Sequence, residues 1–359
     1  MAGAASDNEF LAQLVARGQL AAERARELAR RVAAGEDLDA LLTGEVGWKA
    51  AEVARLRRTR AGELPELPGL TVIDRLGRGG TADVWRARDD ALQCEVALKV
   101  MLPALADDSR AVDAFVREAK LLRRIDHPGV VKCHGVAKFG RTYFTRLELI
   151  DGPSLQEELD KGRVFTEAEA LRFVLDVARA LGHLESLGLV HRDVKPGNVL
   201  VAPDGRAVLI DLGFAAFAGE ARADGASDKA AGTVAYLSPE QARGGAVADI
   251  RSDVYSLGVS LFQLIVGRLP FEAADDRDVL AMQVLKSLDS PELKRRGVSP
   301  HLHYLVQRMM SKEPSERFES WAALVADVEG QLAGQRGLDW RSPTDDDDPL
   351  RGRRGRRRR

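Results

Sequence analysis

Cysteine is nearly absent from this sequence, which contains only Cys94 and Cys133. Both lie in segments whose composition is typical of β-strands, so a disulfide framework is not expected. Scarce, unpaired thiols favour a reducing compartment. We therefore predict a cytoplasmic protein in which both thiols are buried.

Long apolar runs are also lacking. The longest near the C-terminus is "VSLFQLIVG", residues 259–267, and spanning a bilayer takes roughly 20 apolar residues. The N-terminus "MAGAASDNEF" has no basic stretch followed by an apolar one, as a secretory signal would. We expect no transmembrane segment.

An excess of charge of one sign is the third absence. The 53 basic and 55 acidic residues give a formal net charge of -2, so no overall field marks the chain as a nucleic-acid binder. Only the end departs from this balance, where "RSPTDDDDPLRGRRGRRRR" joins an acidic block to an arginine-rich one. Such blocks are usually solvated. We expect residues 334–359 to form a disordered tail, with contact to an acidic partner, nucleic acid or acidic lipid as the alternative.

Residues 1–62 form a helical region that precedes the rest of the chain. Apolar residues recur there at helical spacing, as in Phe10, Leu11 and Leu14, and glycines interrupt the pattern. The spacing predicts three or four short helices that serve as a docking or regulatory module for a partner. The proline-rich segment 63–70 is the predicted linker.

A glycine-rich stretch, "LGRGGTADVW", follows the linker. Gly77, Gly79 and Gly80 precede Val84 between two segments of strand character. Glycine lets backbone amides approach an anion because it has no Cβ in the way. The stretch predicts either a phosphate-covering turn or an ordinary hairpin. A dinucleotide-binding motif is excluded because a strand, not a helix, follows the glycines.

Lys99 stands in the apolar strand "VALKV", and an inward-pointing ammonium there needs an anionic partner. Glu118 is the candidate, on a helix whose buried face is marked by Phe115, Ala119 and Leu122. The alternative is a solvated lysine and a solvated glutamate.

The segment "HRDVKPGN" places Asp193, Lys195 and Asn198 within six residues on a short loop. Asp211 follows in "AVLIDLGFA" at the end of an apolar strand, before a glycine that allows a sharp exit. Asn198 and Asp211 offer oxygen ligands from two adjacent strand ends, which suits Mg²⁺ shared with substrate phosphates. Asp193 would face an acceptor hydroxyl and Lys195 the transferred phosphoryl group.

In their order and spacing these motifs, with "SPE" and "SDVYSLGV", resemble the eukaryotic-type protein kinases, and most closely the bacterial serine/threonine kinases of that family. The resemblance covers about residues 67–333. It implies an α+β, bilobal protein kinase fold with a small β-rich lobe and a larger helical lobe, preceded here by the all-α region.

The resemblance also implies roles for individual residues. Lys99 would hold the ATP phosphates and pair with Glu118, Asn198 and Asp211 would hold Mg²⁺ (or Mn²⁺), and Asp193 would take the proton of a protein Ser/Thr hydroxyl. The resemblance implies that ATP is bound by Leu76, Gly77, Gly79, Gly80, Val84, Ala97, Lys99, Leu147, Glu148, Ile150 and Leu200.

Further pairs and alternatives complete the expectation. The resemblance implies that Glu240 pairs with Arg317 and that Asp253 anchors the catalytic loop. Autophosphorylation is expected at Ser227 or Thr233, with a loop that is competent without modification as the alternative. Besides a protein kinase, the sequence leaves open a catalytically weak kinase-fold scaffold and a small-molecule phosphotransferase; the last is disfavoured by "SPE" and Asp253.

Overall fold

The computed structural model describes residues 2–16, 19–60, 65–217, 233–244, 249–288 and 291–334. Ser227 and residues 335–359 of the predicted tail lie outside the described residues. The backbone of Thr233 is described, but its side chain is not.

The described residues contain both helices and strands. The helices are α1 (Ala2–Ala16), α2 (Ala22–Ala33), α3 (Leu38–Gly44), α4 (Ala50–Arg60), α5 (Ser109–Leu122), α6 (Leu155–Asp160), α7 (Glu167–Ser186), α8 (Pro239–Ala242), α9 (Ile250–Val266), α10 (Asp276–Leu285), α11 (Pro291–Arg295), α12 (Pro300–Met309) and α13 (Trp321–Leu332). The strands are β1 (Leu70–Arg78), β2 (Ala82–Asp89), β3 (Cys94–Met101), β4 (Cys133–Phe139), β5 (Thr142–Glu148), β6 (Leu189–Val190), β7 (Val199–Val201), β8 (Ala207–Leu209) and β9 (Ala216–Phe217).

The chain divides into two compact units. The first comprises Met1–Leu102 and Lys138–Phe144, and the second Pro103–Ala137 and Thr145–Arg359. A five-stranded sheet has the order β1-β2-β3-β5-β4, and its β1–β2 and β2–β3 pairs are antiparallel. Helices dominate the second unit. The predicted α+β class of a protein kinase fold is confirmed.

The N-terminal helices α1–α4 form a small hydrophobic core of their own. Its buried members are Phe10, Leu11, Leu14, Leu20, Ala25, Leu28, Val32, Leu38, Leu41, Leu42, Val53 and Leu56. Asp37 caps α3 by accepting a hydrogen bond from the Ala40 amide at 2.8 Å. On the surface, Arg57 donates to Asp7 and Asp39. The predicted three or four helices are confirmed, as four.

The second unit is organised around the buried helix α9. Nearly every residue of α9 is buried, and Asp249 caps its first turn. Gly258 allows α12 to approach closely, since a Cβ there would lie 2.8 Å from the Met309 Cβ. The helix ends at Gly267, whose φ of 85° belongs to the left-handed region that glycine adopts without strain. A long apolar helix, α7, packs against both α9 and α13.

The prediction of two buried thiols is wrong for Cys94. That residue is exposed because it opens β3 directly after a surface turn, whereas Cys133 at the start of β4 is buried. Burial raises the pKa of the Cys133 thiol, which disfavours the reactive thiolate. Among the described residues, no helix combines the length and apolarity needed to cross a membrane.

The separate core of α1–α4 predicts a local effect of mutation. Leu28 is fully buried in it, so Leu28→Ala should destabilise the module by about 2–5 kcal/mol. Hydrogen exchange should accelerate in residues 2–16 and 19–60 and stay unchanged in β2 and β3. The control is Arg26→Ala, an exposed change on the same helix; equal exchange in the two variants would contradict the assignment of this core.

Candidate active site

The loop that carries the candidate catalytic residues is held from below by one buried carboxylate. Asp253, on α9, accepts hydrogen bonds from the amides of His191 at 2.8 Å and Arg192 at 2.7 Å. Burial raises the pKa of Asp253 to about 6, although both amides and the side chains of His191 and Arg192 act in the opposite direction. Arg192 has a φ of 68°, which is rare for a residue with a side chain. The predicted anchoring role of Asp253 is confirmed.

Three of the predicted site residues lie in direct contact. Lys195 Nζ lies 2.8 Å from Asp193 Oδ2. Asn198 Nδ2 donates to the Asp193 carbonyl at 2.8 Å and to its Oδ2 at 3.0 Å. The Asp193 carboxylate is buried and fixed by these donors. A rigid carboxylate of this kind can accept the proton of a hydroxyl group positioned beside it.

Asn198 and Asp211 lie at neighbouring strand ends, as predicted. β7 begins after Asn198 and pairs with β8, which ends shortly before Asp211, and the Ile210 amide donates to the Asn198 carbonyl at 3.1 Å. Because Asn198 Nδ2 faces Asp193, its amide oxygen points the other way. The set of one amide and one carboxylate oxygen fits a Mg²⁺ ion that takes its remaining ligands from phosphates and water.

The described residues contain no cluster of three or more His, Cys, Asp or Glu that would hold a metal by themselves.

Glu118 and Asp211 both lie next to Gly213. A Cβ placed on Gly213 would be 3.1 Å from Asp211 Oδ1 and 3.7 Å from Glu118 Oε2. The Gly213 amide donates to Asp211 Oδ1 at 2.8 Å. Glu118 is buried on α5, as its helical spacing predicts. The glycine after Asp211 therefore leaves room for two carboxylates near the same point.

In the first unit, Gly77, Val84 and Lys99 form one row across three strands. Val84 pairs with Gly77 on one side and with Lys99 on the other. Residues in register on neighbouring strands point to the same face of a sheet. Ala97 shares that face because it lies two residues from Lys99. The row is half-buried, while Trp85 and Leu98 on the opposite face are buried.

The glycine-rich turn depends on Gly79. Its amide donates to the Ala82 carbonyl at 2.9 Å, and a Cβ on Gly79 would lie 2.9 Å from the same oxygen. Gly77 and Gly80 face open space. Leu76, next to the turn, is 45% exposed. The backbone of this turn is therefore accessible to a ligand.

The remaining predicted nucleotide-binding residues belong to the second unit. Leu147 is buried at the end of β5, and the Glu148 amide donates to the Lys132 carbonyl at 2.8 Å. Ile150 and Leu200 are half-buried. That the predicted residues of the first and second units contact the same nucleotide stays a prediction.

A buried ion pair fixes the segment after the catalytic loop. Arg317 donates to Glu240 Oε1 at 2.7 Å and to Oε2 at 2.9 Å. Burial would raise the pKa of Glu240, but the Arg317 guanidinium outweighs it, and the net shift is downward. Ser252 also donates to Glu240. The predicted pair of Glu240 and Arg317 is confirmed.

Several polar contacts around the loop were not predicted from the sequence. Gln241 Nε2 donates to the Arg192 carbonyl at 3.4 Å, and the Tyr236 hydroxyl donates to Gln263 Oε1 at 2.6 Å. Burial chiefly raises the pKa of Tyr236, and the carboxylates of Asp160 and Asp193 act in the same direction. A neutral glutamine or tyrosine at one position carries no pattern that could have revealed these contacts.

Comparison with known proteins agrees with this geometry. Residues 70–327 match the family described as the protein kinase domain, and this span lies inside the predicted 67–333. The chain belongs to the protein kinase domain family.

Within the family the chain is similar to bacterial serine/threonine kinases. The DNA damage-responsive serine/threonine-protein kinase RqkA of Deinococcus radiodurans is 36% identical over 271 residues, which cover 73% of this chain and 40% of that protein. The serine/threonine-protein kinase PrkC of Bacillus subtilis is 31% identical over 263 residues, with 73% and 40% covered. PknB of Mycobacterium tuberculosis is 33% identical over 258 residues, with 70% and 41% covered. The chain thus spans about 40% of the length of these relatives.

The glycine-rich turn generates a prediction about ATP affinity. In Gly79→Ala the new methyl group meets the Ala82 carbonyl oxygen, so the turn must shift, whereas Gly80→Ala adds its methyl group in open space. We expect Gly79→Ala to weaken ATP binding about tenfold and Gly80→Ala to change it little. Isothermal titration with Mg-ATP measures both, and equal affinities would contradict the role of Gly79.

The buried ion pair generates a prediction about stability. Glu240→Gln leaves the fully buried Arg317 guanidinium without its carboxylate and should cost roughly 3–5 kcal/mol in the free energy of unfolding. The control is Glu329→Gln, which breaks a pair with Arg179 in which both side chains are about half exposed; it should cost about 0–1 kcal/mol. Urea denaturation measures both, and similar losses would refute the distinction.

Proposed function

We propose that the protein is a serine/threonine kinase that transfers the γ-phosphoryl group of ATP to a Ser or Thr hydroxyl of a protein substrate. The observation that carries this proposal is the buried Asp193 carboxylate, held by Lys195 and Asn198 on a loop anchored by Asp253. The names of the bacterial relatives support serine and threonine as acceptors.

On the acceptor side, Asp193 orients the hydroxyl and accepts its proton as the new O–P bond forms and the bond to the ADP leaving group breaks. Lys195, 2.8 Å from Asp193, balances the negative charge that accumulates on the transferred phosphoryl group. The catalytic loop contributes mainly position and fixed charge, as phosphoryl transfer requires.

A divalent cation would be held by Asn198 and Asp211, together with the phosphates. Bound Mg²⁺ would neutralise phosphate charge and align the phosphoryl group for transfer. The oxygen donors suit Mg²⁺, and Mn²⁺ is an acceptable substitute. The amide hydrogen bond from Gly213 holds the Asp211 carboxylate in a fixed orientation for this role.

On the nucleotide side, we assign the ATP phosphates to Lys99, and the pairing of Lys99 with Glu118 stays a prediction from the sequence. The glycines of the turn at 77–80 cover the phosphates with their amides. Apolar side chains enclose the adenine, and backbone groups near Glu148 and Ile150 bind its edge. We assign this apolar enclosure to Leu76, Val84, Ala97, Leu147 and Leu200.

We also propose partners for the flanking regions. The helices of residues 1–62 have a core of their own, which suits a docking or regulatory module. The arginine-rich end would bind an acidic partner. A cytoplasmic location stays a prediction from the sequence, as does autophosphorylation at Ser227 or Thr233, with a loop that is competent without modification as the alternative.

Radiolabelled Mg-ATP tests the proposal directly. Asp193→Asn removes the proton acceptor and should lower phosphate transfer to the protein itself and to a basic model substrate by about 10²–10⁴-fold. The control is Asp204→Asn, an exposed aspartate in the turn between β7 and β8, which should retain full activity. Phosphoamino-acid analysis should find phosphoserine or phosphothreonine.

A wild-type protein that binds ATP without transferring phosphate would contradict the kinase assignment. That result would favour the alternative, a kinase-fold scaffold whose working part lies in the N-terminal helices.

A further inference from the structure

A half-buried lysine of the second unit is held by neutral groups. Lys312 Nζ donates to the Tyr255 hydroxyl at 2.9 Å and to the Gln283 carbonyl at 2.8 Å. It also lies 4.5 Å from the centre of the Phe271 ring and 5.2 Å from that of Tyr255. The Gln283 carbonyl belongs to the last turn of α10, where carbonyl groups have no partner within the helix. Lys312 therefore caps the C-terminal end of α10.

The charge of this amine is finely balanced. Burial lowers the pKa of Lys312 to about 7, and the nearby cations Arg317 and Arg243 act in the same direction. The aromatic rings and the carbonyl end of α10 favour the charged form. The acidic residues of α10 lie in its first turn, at the other end of the helix, and Glu240 is engaged by Arg317. The amine can thus remain buried while donating to neutral acceptors.

From Lys312 a series of hydrogen bonds runs through Tyr255 on α9 and Gln283 on α10 to Ala235. The Tyr255 hydroxyl accepts from Lys312 and donates to Gln283 Oε1 at 2.5 Å. Gln283 Nε2 donates to the Ala235 carbonyl. Gln283 is fully buried, and burial raises the pKa of Tyr255, so the Tyr255 hydroxyl keeps its proton. Each member has a fixed partner on either side, which defines the orientation of the Gln283 amide.

The series of hydrogen bonds ends on the short helical turn Thr233–Tyr236. The next residue after Ala235 is Tyr236, whose pKa is affected by Asp193. Ser256 donates to the Tyr236 carbonyl at 2.7 Å, and Gln241 donates to the Arg192 carbonyl. The backbone of the turn is thus tied to α9, to α10 and, through its neighbours, to the catalytic loop.

We propose that Lys312 is a positioning residue for the protein acceptor: with Tyr255 and Gln283 it fixes the turn Thr233–Tyr236 at the place where the acceptor segment enters beside Asp193. The inference rests on the proposed kinase function. It assigns a role in acceptor binding to a lysine that itself touches neither nucleotide nor acceptor.

Two variants break the chain at different points. Lys312→Met keeps the apolar stem and removes both donated hydrogen bonds. Gln283→Glu keeps the size of the side chain and the acceptor for Tyr255, but presents a carboxylate oxygen to the Ala235 carbonyl. In both we expect the KM for a protein or peptide acceptor to rise about tenfold, with the KM for ATP unchanged. Lys286→Met, an exposed change next to the end of α10, is the control.

A rise in the KM for ATP equal to that for the acceptor would overturn the proposal, because it would indicate general loosening of the unit. Unchanged kinetics in both variants would overturn it as well. If the wild-type protein transfers no phosphate at all, the kinase assignment fails and the proposal fails with it.

Two measurements are independent of activity. Hydrogen exchange in residues 233–244 should accelerate in both variants and not in Lys286→Met. The second measurement is the free energy of unfolding of the wild type minus that of Lys312→Met. This difference should fall as the pH is lowered from 10.5 to about 7 and then level off. The reason is that over this range the unfolded chain binds a proton that the folded amine does not. Unchanged exchange, or a pH-independent difference, would overturn the proposed network even in an active kinase.

Discussion

The second unit depends on the contact of the Asp253 carboxylate with the amides of His191 and Arg192. Those amides directly precede Asp193, so the position of Asp193 follows from theirs. The contact also holds Arg192 in its positive φ, a conformation that costs energy unless the surroundings impose it. A carboxylate can accept two amide hydrogen bonds at once, which an apolar side chain on α9 cannot. The positions of the loop residues therefore depend on the buried helix α9.

The motifs of the sequence predicted most of this site because each is local. β2 runs from Ala82 to Asp89, where the sequence predicts a strand after the glycines. Asp193, Lys195 and Asn198 contact one another within one short loop. Longer-range pairs such as Glu240 with Arg317 required the family resemblance, since nothing within either segment indicates a partner 77 residues away. The exposure of Cys94 was missed because strand composition does not reveal which strand end adjoins a surface turn.

The series of hydrogen bonds from Lys312 to Ala235 could not be predicted from the sequence, for a physical reason. Its members are a lysine, a tyrosine and a glutamine, residue types that usually lie at the surface or tolerate it. Their burial follows from the meeting of α9, α10 and the segment after α12, and hydrophobic periodicity does not encode such a meeting. A pattern-based interpretation treats Gln283 as a solvent-facing residue of α10, whereas the structure buries it completely.

These polar groups share a dependence on α9. Asp253 and Tyr255 are two residues apart on it, and the Arg317 guanidinium that pairs with Glu240 lies 4.9 Å from the centre of the Tyr255 ring. Nearly the whole helix is buried, so each polar group near it must find a partner or lose several kcal/mol. An apolar interior tolerates many packings of similar energy, but a satisfied polar network permits few. The polar groups around α9 are therefore held by directional bonds, whereas the row of Gly77, Val84 and Lys99 in the first unit follows from the regular register of a sheet. Different forces maintain the two sets of residues, so substitutions around α9 and in the strands have different consequences even at equal cost in stability.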